Sequence, residues 1–129
     1  MIVLPEIRWK TFLEPVPEGE YVMLVSVLPL KHYWNLPGFL RYSGAIQSQL
    51  AESAGLIGYS LRVSFLSKKG WTLSVWEDQQ SLDDFVRKTP HAATMEKLRN
   101  SMRQPKFVTK KILGSAIPPS WDDAMTFLS

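Results

Sequence analysis

Alternating apolar and polar residues predict a β-hairpin at the centre of the chain. Apolar side chains recur at every second position over 57–65, and a second alternating run covers 71–76. This period is typical of strands with one buried face. A three-residue loop, Lys-Lys-Gly at 68–70, connects the runs, with its glycine in the left-handed region. The resulting register sets Arg62 opposite Trp76 and keeps the two apolar rows together.

Helices and further strands flank this hairpin. Apolar residues spaced by three or four positions before Gly55 predict a helix that this glycine caps. A second helix is expected to start at a Ser81 cap and to break at Pro90, which has no backbone N–H to donate. The predicted elements are a strand at 21–29, a helix at about 37–54, the hairpin, the broken helix, and a strand at about 106–113.

The order β-α-β-β-α-β predicts an α+β, ferredoxin-like fold, in which two helices cover one face of a four-stranded antiparallel sheet. The chain is expected to form a single domain over 1–129, with a core at about 21–113, an extended arm at 1–20 and a tail at 114–129. The strand at 21–29 is apolar on both sides, so the reverse face of the sheet also needs a cover. A second copy of the chain is the simplest cover, which predicts a homodimer.

Composition narrows the class of protein. An apolar content of 45% is enough for a core, and the absence of cysteine excludes disulfides and zinc–thiolate sites. We expect a cytoplasmic protein without a membrane partner, because no apolar run approaches the roughly 18 residues of a span. The net charge is +3, and the stretch 97–111 is basic without an acidic residue. This stretch is interpreted as a solvated helix end and a lysine-protected edge strand, not as a nucleic-acid surface.

Three residues are candidates for catalysis. His91 follows the helix break, where a helix N-terminus favours a neutral imidazole that can accept a proton. Arg62, stacked over Trp76, could bind a carboxylate or enolate oxygen. The alternatives are structural: a helix-start histidine bonded to backbone or to a partner chain, and an arginine in an interface salt bridge.

An aromatic segment precedes the first helix. It could wall a pocket for a flat apolar ligand, or pack its own loop onto that helix. Two histidines without a nearby carboxylate pattern make a poor metal site, so no metal is expected. Dinucleotide-binding, P-loop, nucleophile-elbow and zinc-protease motifs are missing from the sequence. The candidate pocket residues are His32, Tyr33, Trp34 and Phe39.

Three segments resemble the antibiotic biosynthesis monooxygenase superfamily: GLIGYSLRVSFL, WTLSVWED and SLDDFVRKTPHAATMEKL. The resemblance covers about 22–113 and implies a dimeric α+β barrel. Members of this superfamily include cofactor-free oxygenases of aromatic compounds, haem-degrading enzymes and proteins without a known activity, so the resemblance leaves these three functions open.

Haem degradation does not fit the matching positions. That branch has an asparagine on its first strand, whereas the strand at 21–29 holds none and has Ser26 as its only polar residue. Phe85 and Met95 stand where the branch has a tryptophan and the iron-ligating histidine. We therefore expect no cofactor, with Phe85 and Met95 as further substrate-binding candidates. The predicted function is a cofactor-independent monooxygenase-like protein for a small aromatic or hydrophobic metabolite. The alternative is a non-catalytic dimer that binds a small ligand or a partner.

Overall fold

The protein is described here by a computed structural model over residues 6–88 and 102–128. Within these residues, five strands form one antiparallel sheet in the order β1-β3-β4-β2-β5. The alternating sequence at the centre of the chain therefore forms the interior of the sheet, and the N-terminal arm and the basic strand form its edges. The strands are β1 (Glu6–Thr11), β2 (Glu20–Pro29), β3 (Leu56–Ser64), β4 (Lys69–Trp76) and β5 (Lys106–Leu113).

Helices pack on both faces of this sheet. Helices α1 (Leu36–Ala51) and α2 (Gln79–Arg87) cover one face, and α3 (Trp121–Leu128) covers the other. The 3-10 turns Tyr33–Asn35 and Gly114–Ala116 precede α1 and follow β5. No helix in the described ranges is both long enough and apolar enough to cross a membrane.

Side-chain oxygens cap the N-termini of the two short helices, α2 and α3. Ser120 Oγ accepts a hydrogen bond from Asp123 N at 3.1 Å and so caps α3, which contains Trp121 and Phe127. Helix α2 starts three residues earlier than predicted, because Asp78 Oδ1 accepts a hydrogen bond from Ser81 N at 2.8 Å. This bond lowers the pKa of Asp78. Ser81 is therefore inside the helix, and the expectation that it forms the cap was wrong.

The core has one part on each side of the sheet. On the α1/α2 side, Trp76, Leu56 and Tyr59 are almost fully buried together with Phe85 of α2. On the α3 side, Met23, Val25, Leu73, Val75 and Ala124 are inaccessible or nearly so. The two-sided apolar character of β2 follows directly from this arrangement, since its alternate residues enter different halves of the core.

The reverse face of the sheet is covered from within the chain. The sequence predicted a second copy here, but α3 packs against this face, and the arm at 6–11 adds β1 as a fifth strand beside β3. Trp9 joins the same cluster, and Trp121 Nε1 donates a hydrogen bond to Ser60 Oγ at 3.0 Å. The prediction of four strands and two helices therefore missed one strand, β1, and one helix, α3. The segments that were expected to form an arm and a tail carry apolar side chains that complete the core.

The hairpin register also differs from the prediction. Arg62 pairs with Trp71 rather than with Trp76, and Val63 pairs with Gly70. The turn spans 65–68, and its left-handed residue is Lys68, with φ of 56°. Gly70 is part of the strand, because the Phe39 ring packs on its backbone: a Cβ there would lie 2.2 Å from Phe39 Cζ. The glycine therefore permits close packing and does not make the turn.

A bulge changes the faces at the start of β3. Leu56 pairs with Trp76 and Gly58 with Val75, which leaves Ile57 as an extra residue. Ile57 consequently enters the α3 side of the core, while Tyr59 and Leu61 stay beneath α1 and α2. The sequence placed all of them on one face, since strict alternation cannot reveal an inserted residue.

Other predicted boundaries agree more closely with the structure. Strand β5 covers the expected 106–113, and β2 begins one residue before its prediction. Helix α1 ends three residues before the predicted end, and Gly55 adopts φ of +83° where the chain turns into β3. Helix α2 stops at Arg87, shortly before the proline that disfavours helix at its preceding residue.

Candidate functional site

A cavity of about 80 Å³ lies between the sheet and helices α1 and α2. Its walls are mainly apolar side chains of both helices, and its floor is the sheet face that α1 and α2 cover. Phe107 of the edge strand β5 contributes to the lining and is half exposed, so the cavity approaches solvent there. Apolar lining residues include Leu24, Leu28, Phe39, Ile46, Leu50 and Phe85.

Three hydroxyl groups interrupt this apolar floor. Ser26 and Thr72 lie opposite each other on β2 and β4, and their hydroxyls hydrogen-bond to each other. Ser74 lies two residues beyond Thr72 on the same face, and its Oγ accepts a hydrogen bond from Trp76 Nε1 at 2.9 Å. We call Ser26, Thr72 and Ser74 the hydroxyl floor.

The hydroxyl floor retains protons that a ligand can accept. A hydroxyl carries one donor proton and two acceptor positions. The Ser26–Thr72 bond uses one of the two protons available to that pair, and Ser74 acts as an acceptor in its bond with Trp76. No other acceptor for the remaining protons occurs within the described residues. The floor can therefore donate up to two hydrogen bonds to an oxygen atom in the cavity.

The described part of the lining carries no formal charge. Every residue of the described part of the chain that borders the cavity is apolar, aromatic or a hydroxyl residue. Ser43 on α1 is also bonded locally, because its Oγ donates to Phe39 O at 3.0 Å. A charged ligand would lose its hydration here without an opposite charge to replace it, which favours a neutral occupant.

Tyr59 is a described lining residue whose phenol has a raised pKa. Burial raises the pKa of its phenol above the ordinary value of 10.0, and its hydroxyl donates to Gln47 Oε1 at 3.2 Å. Because the unfolded state loses this proton first, the contribution to stability is intact below pH 10 and declines as the pH rises through the folded-state pKa.

We expect Tyr59→Phe to make the free energy of unfolding less sensitive to alkaline pH. Urea unfolding on either side of pH 10 measures this, and ultraviolet titration should show one late phenolate signal fewer in the variant. Equal alkaline losses of stability in the variant and the wild type would contradict the assignment.

Phe39 and Phe85, both predicted as substrate-binding residues, line the cavity. The aromatic segment before α1 does not: Trp34 is 74% exposed and Tyr33 is 57% exposed. His32 stacks on Trp34 with the ring centroids 4.1 Å apart. This segment turns outward because it forms the 3-10 turn at the end of the sheet, outside the α1/α2 layer. The predicted residues His91 and Met95 lie outside the described ranges.

Arg62 and Trp76 do not form a joint site. Trp76 is fully buried on the α1/α2 side, with its ring centroid 5.1 Å from that of Phe85. Arg62 lies on the α3 side, with its guanidinium 5.0 Å from the centroid of the Trp121 ring. The predicted stacking of Arg62 over Trp76 was wrong, because the true hairpin register places these residues on opposite faces. Trp76 instead supports the cavity from behind, by holding Ser74 and packing on Phe85.

The hydroxyl floor and Ser43 were missed as site residues. The available signal was the occurrence of Ser26, Thr72 and Ser74 on one side of two apolar strands. Ser26 was recognised as the polar residue of its strand, but its relation to Thr72 and Ser74 depends on the pairing of β2 with β4, which no local pattern indicates. Within the described ranges, no group of three His, Cys, Asp or Glu residues comes together as potential metal ligands.

Comparisons with known proteins identify the fold. No family model matches the sequence, and no curated protein does. Among solved structures, a Fusobacterium nucleatum protein provisionally named a monooxygenase aligns with a TM-score of 0.70 at 13% identity, over 81% of this chain. The chain spans about half of that protein, covering 48% of its length.

Two other structures are matched over almost their whole length. A Nitrosomonas europaea protein, provisionally named an antibiotic biosynthesis monooxygenase, has a TM-score of 0.64 at 10% identity, covering 80% of this chain and 95% of its own. SnoaB, a cofactor-independent oxygenase from Streptomyces nogalater, has a TM-score of 0.58 at 13% identity, covering 78% and 98%. Identities this low establish similarity of fold, and the resemblance seen in the sequence is confirmed at that level. The chain has the α+β fold of the antibiotic biosynthesis monooxygenase-like proteins.

Proposed function

We propose that this protein is a cofactor-independent, monooxygenase-like enzyme that acts on a small, neutral aromatic or hydrophobic metabolite bound in the cavity. The observation that supports it is the hydroxyl floor, which places donor groups at the base of a cavity whose other described lining residues are uncharged and mainly apolar. Such a site can hold a planar ring by its walls and orient an oxygen of that ring by hydrogen bonds.

The chemistry fits a substrate that supplies its own electrons. An activated ring methylene, R₂CH₂, reacts with O₂ to give the ketone R₂C=O and water, so atoms and electrons balance without another reductant. In this proposal the protein removes a proton from the substrate, stabilises the resulting oxyanion and excludes water. The hydroxyl floor donates hydrogen bonds to the oxyanion, and Phe39 and Phe85 hold the ring.

His91 remains the proposed general base. Arg62 is assigned no contact with the substrate, since it lies across the sheet from the cavity. Trp76 is proposed as a positioning residue that acts through Ser74 and Phe85.

The proposal includes a homodimer and a cytoplasmic location. We retain the homodimer that the resemblance implies, although α3 occupies the sheet face first expected to form the interface. A dimer would therefore use another surface. A cytoplasmic location agrees with the cysteine-free composition.

The second candidate function is that of a non-catalytic carrier or sensor of the same neutral ligand. The cavity lining favours a carrier or sensor, because its described residues offer hydroxyls and a phenol with a raised pKa, but no carboxylate or imidazole. A site without a base can bind such a compound but cannot ionise it at neutral pH.

Purification from the native host, followed by native mass spectrometry, tests the proposal. We expect the folded protein to retain a small neutral compound, and the isolated compound to consume oxygen when it is added back to the protein. His91→Ala should slow oxygen uptake while the compound is still retained, because a base acts on the reaction step. Recovery of the compound unchanged after aerobic incubation with wild-type protein would favour the carrier. A retained anion, or turnover that is unaffected in His91→Ala, would contradict the assigned chemistry.

A further inference from the structure

Four large exposed apolar side chains lie together at one end of the sheet. They belong to two neighbouring segments. One is 31–34, before α1, and the other is 65–69, which comprises the β3–β4 turn and the first residue of β4. We call these two segments together the basic tip. Their exposed fractions are 74% for Trp34, 67% for Leu66, 57% for Tyr33 and 41% for Phe65. Exposed apolar groups in such a cluster mark an interaction surface rather than an ordinary solvated loop.

Side-chain contacts join the two segments into one surface. The Tyr33 hydroxyl donates a hydrogen bond to Leu66 O at 3.0 Å. Lys68 Nζ lies 5.1 Å from the centroid of the Tyr33 ring and 3.5 Å from Lys31 O. The aromatic turn and the hairpin turn are therefore held side by side, with lysines between and around their apolar residues.

Charge is distributed unevenly along the strands. No acidic residue occurs between Glu20 and Glu52, or between Glu52 and Glu77. Lys31 and Lys69 are exposed at the basic tip, and the backbone N–H of the exposed Arg103 donates to Pro29 O beside it. Glu20 and Glu77 stand at the other end of β2 and β4. This end of the sheet is therefore both cationic and apolar, a combination that suits an anionic partner.

We propose that the basic tip docks this protein onto the surface of an anionic phospholipid bilayer. The Trp34 and Tyr33 rings suit the headgroup region, where amphipathic aromatics are enriched. Leu66 and Phe65 supply aliphatic and aromatic surface that can enter the acyl boundary, and the lysines pair with lipid phosphates. Since no described helix can span a bilayer, the contact is peripheral. The sequence predicted no membrane partner from the absence of a span, and surface docking does not need one.

The same side chains fit a nucleic acid less well. Base stacking requires open aromatic faces. At the basic tip one face of Trp34 is already stacked on His32, and Lys68 lies over the Tyr33 ring. The highly exposed Leu66 has no role in stacking, whereas insertion between lipid headgroups buries it.

Vesicle co-sedimentation tests this surface with the full chain. We expect binding to vesicles of phosphatidylcholine and phosphatidylglycerol in equal parts, weak binding to pure phosphatidylcholine, and release by salt.

Each lysine is worth about fivefold in affinity, or ~1 kcal/mol, so the double variant Lys31→Gln/Lys69→Gln should bind more than about tenfold more weakly. Leu66→Ser should also weaken binding, while Leu113→Ser, at a site 54% exposed on β5, should not. Trp34→Phe should remove the blue shift of tryptophan emission that vesicles cause in the wild type.

Several outcomes would overturn the proposal. They are equal binding to neutral and anionic vesicles, no binding to either, and binding that the Leu66 and lysine variants leave unchanged. Tighter binding to a single-stranded RNA oligomer than to the vesicles would reassign the surface to nucleic acid. A wild-type dimer that becomes a monomer in Leu66→Ser, measured by light scattering, would reassign it to a second copy of this chain. These measurements do not depend on the cavity or on any activity.

Discussion

Replacing Trp76 by alanine is expected to lower the free energy of unfolding by about 3–5 kcal/mol, the range for removing a large aromatic side chain from a core. Trp76 is fully buried, packs against Phe85, and donates its indole hydrogen bond to Ser74. Its loss leaves a void behind the cavity and removes the support of the α2 wall. Urea denaturation monitored by circular dichroism measures the change.

Trp34→Ala is the matched control, since this side chain is 74% exposed and its removal should change stability little. A domain of this size has a total stability of only about 5–15 kcal/mol, so Trp76→Ala can fail to accumulate as folded protein. Trp76→Phe keeps most of the ring volume and loses the bond to Ser74, and we expect a smaller loss of about 1–2 kcal/mol. Equal stabilities of Trp76→Ala and Trp34→Ala would contradict the burial of Trp76.

Replacing Ser43 by phenylalanine is expected to weaken binding of a small neutral ring by about a hundredfold, equivalent to ~2.7 kcal/mol. Ser43 faces the cavity from α1, and a phenyl ring at this position takes up much of the 80 Å³ that a ligand would occupy. Phenol is a suitable probe, because it is neutral and carries one oxygen that can accept from the hydroxyl floor. Saturation-transfer NMR measures its affinity in the wild type and the variant.

Ser48→Phe is the control for helix propensity and added surface. Ser48 lies on the same helix and makes the same kind of bond, with its Oγ donating to Gly44 O at 3.2 Å, but it is exposed outside the cavity. Phenol affinity should be unchanged in this variant, and benzoate should bind neither protein because the described lining residues carry no charge. Equal phenol affinity in Ser43→Phe and the wild type would place the binding site elsewhere.

Local patterns were sufficient for much of the fold. The limits of β5 follow from signals within a few residues, a strand-length run of apolar and β-branched side chains. The wrong cap of α2 shows the limit of such reasoning. Asp78 and Ser81 are both good capping residues, and the segments packed against the helix determine where it starts.

The candidate site depended on contacts that are distant in sequence. Phe39 was selected in advance as part of the aromatic segment before the first helix, and Phe85 because it stands where the haem-degrading branch has a tryptophan. The hydroxyl floor was not, since it requires Ser26 to lie across from Thr72, a pairing between residues 46 positions apart. The predicted pair of Arg62 and Trp76 failed for the same reason: one wrong turn altered every cross-strand neighbour of the hairpin.

The sequence alone determined the α+β class and the types of the elements between 20 and 87, because apolar periodicity, proline and capping residues act over a few positions. Tertiary structure decided which strand residues share a face, where Gly70 belongs, and how the reverse side of the sheet is covered. Each of these depends on packing between segments remote in the chain: the Phe39 ring on Gly70, the extra residue Ile57 in β3, and α3 on the sheet. No local pattern encodes such contacts, since their energy exists only once both surfaces have come together.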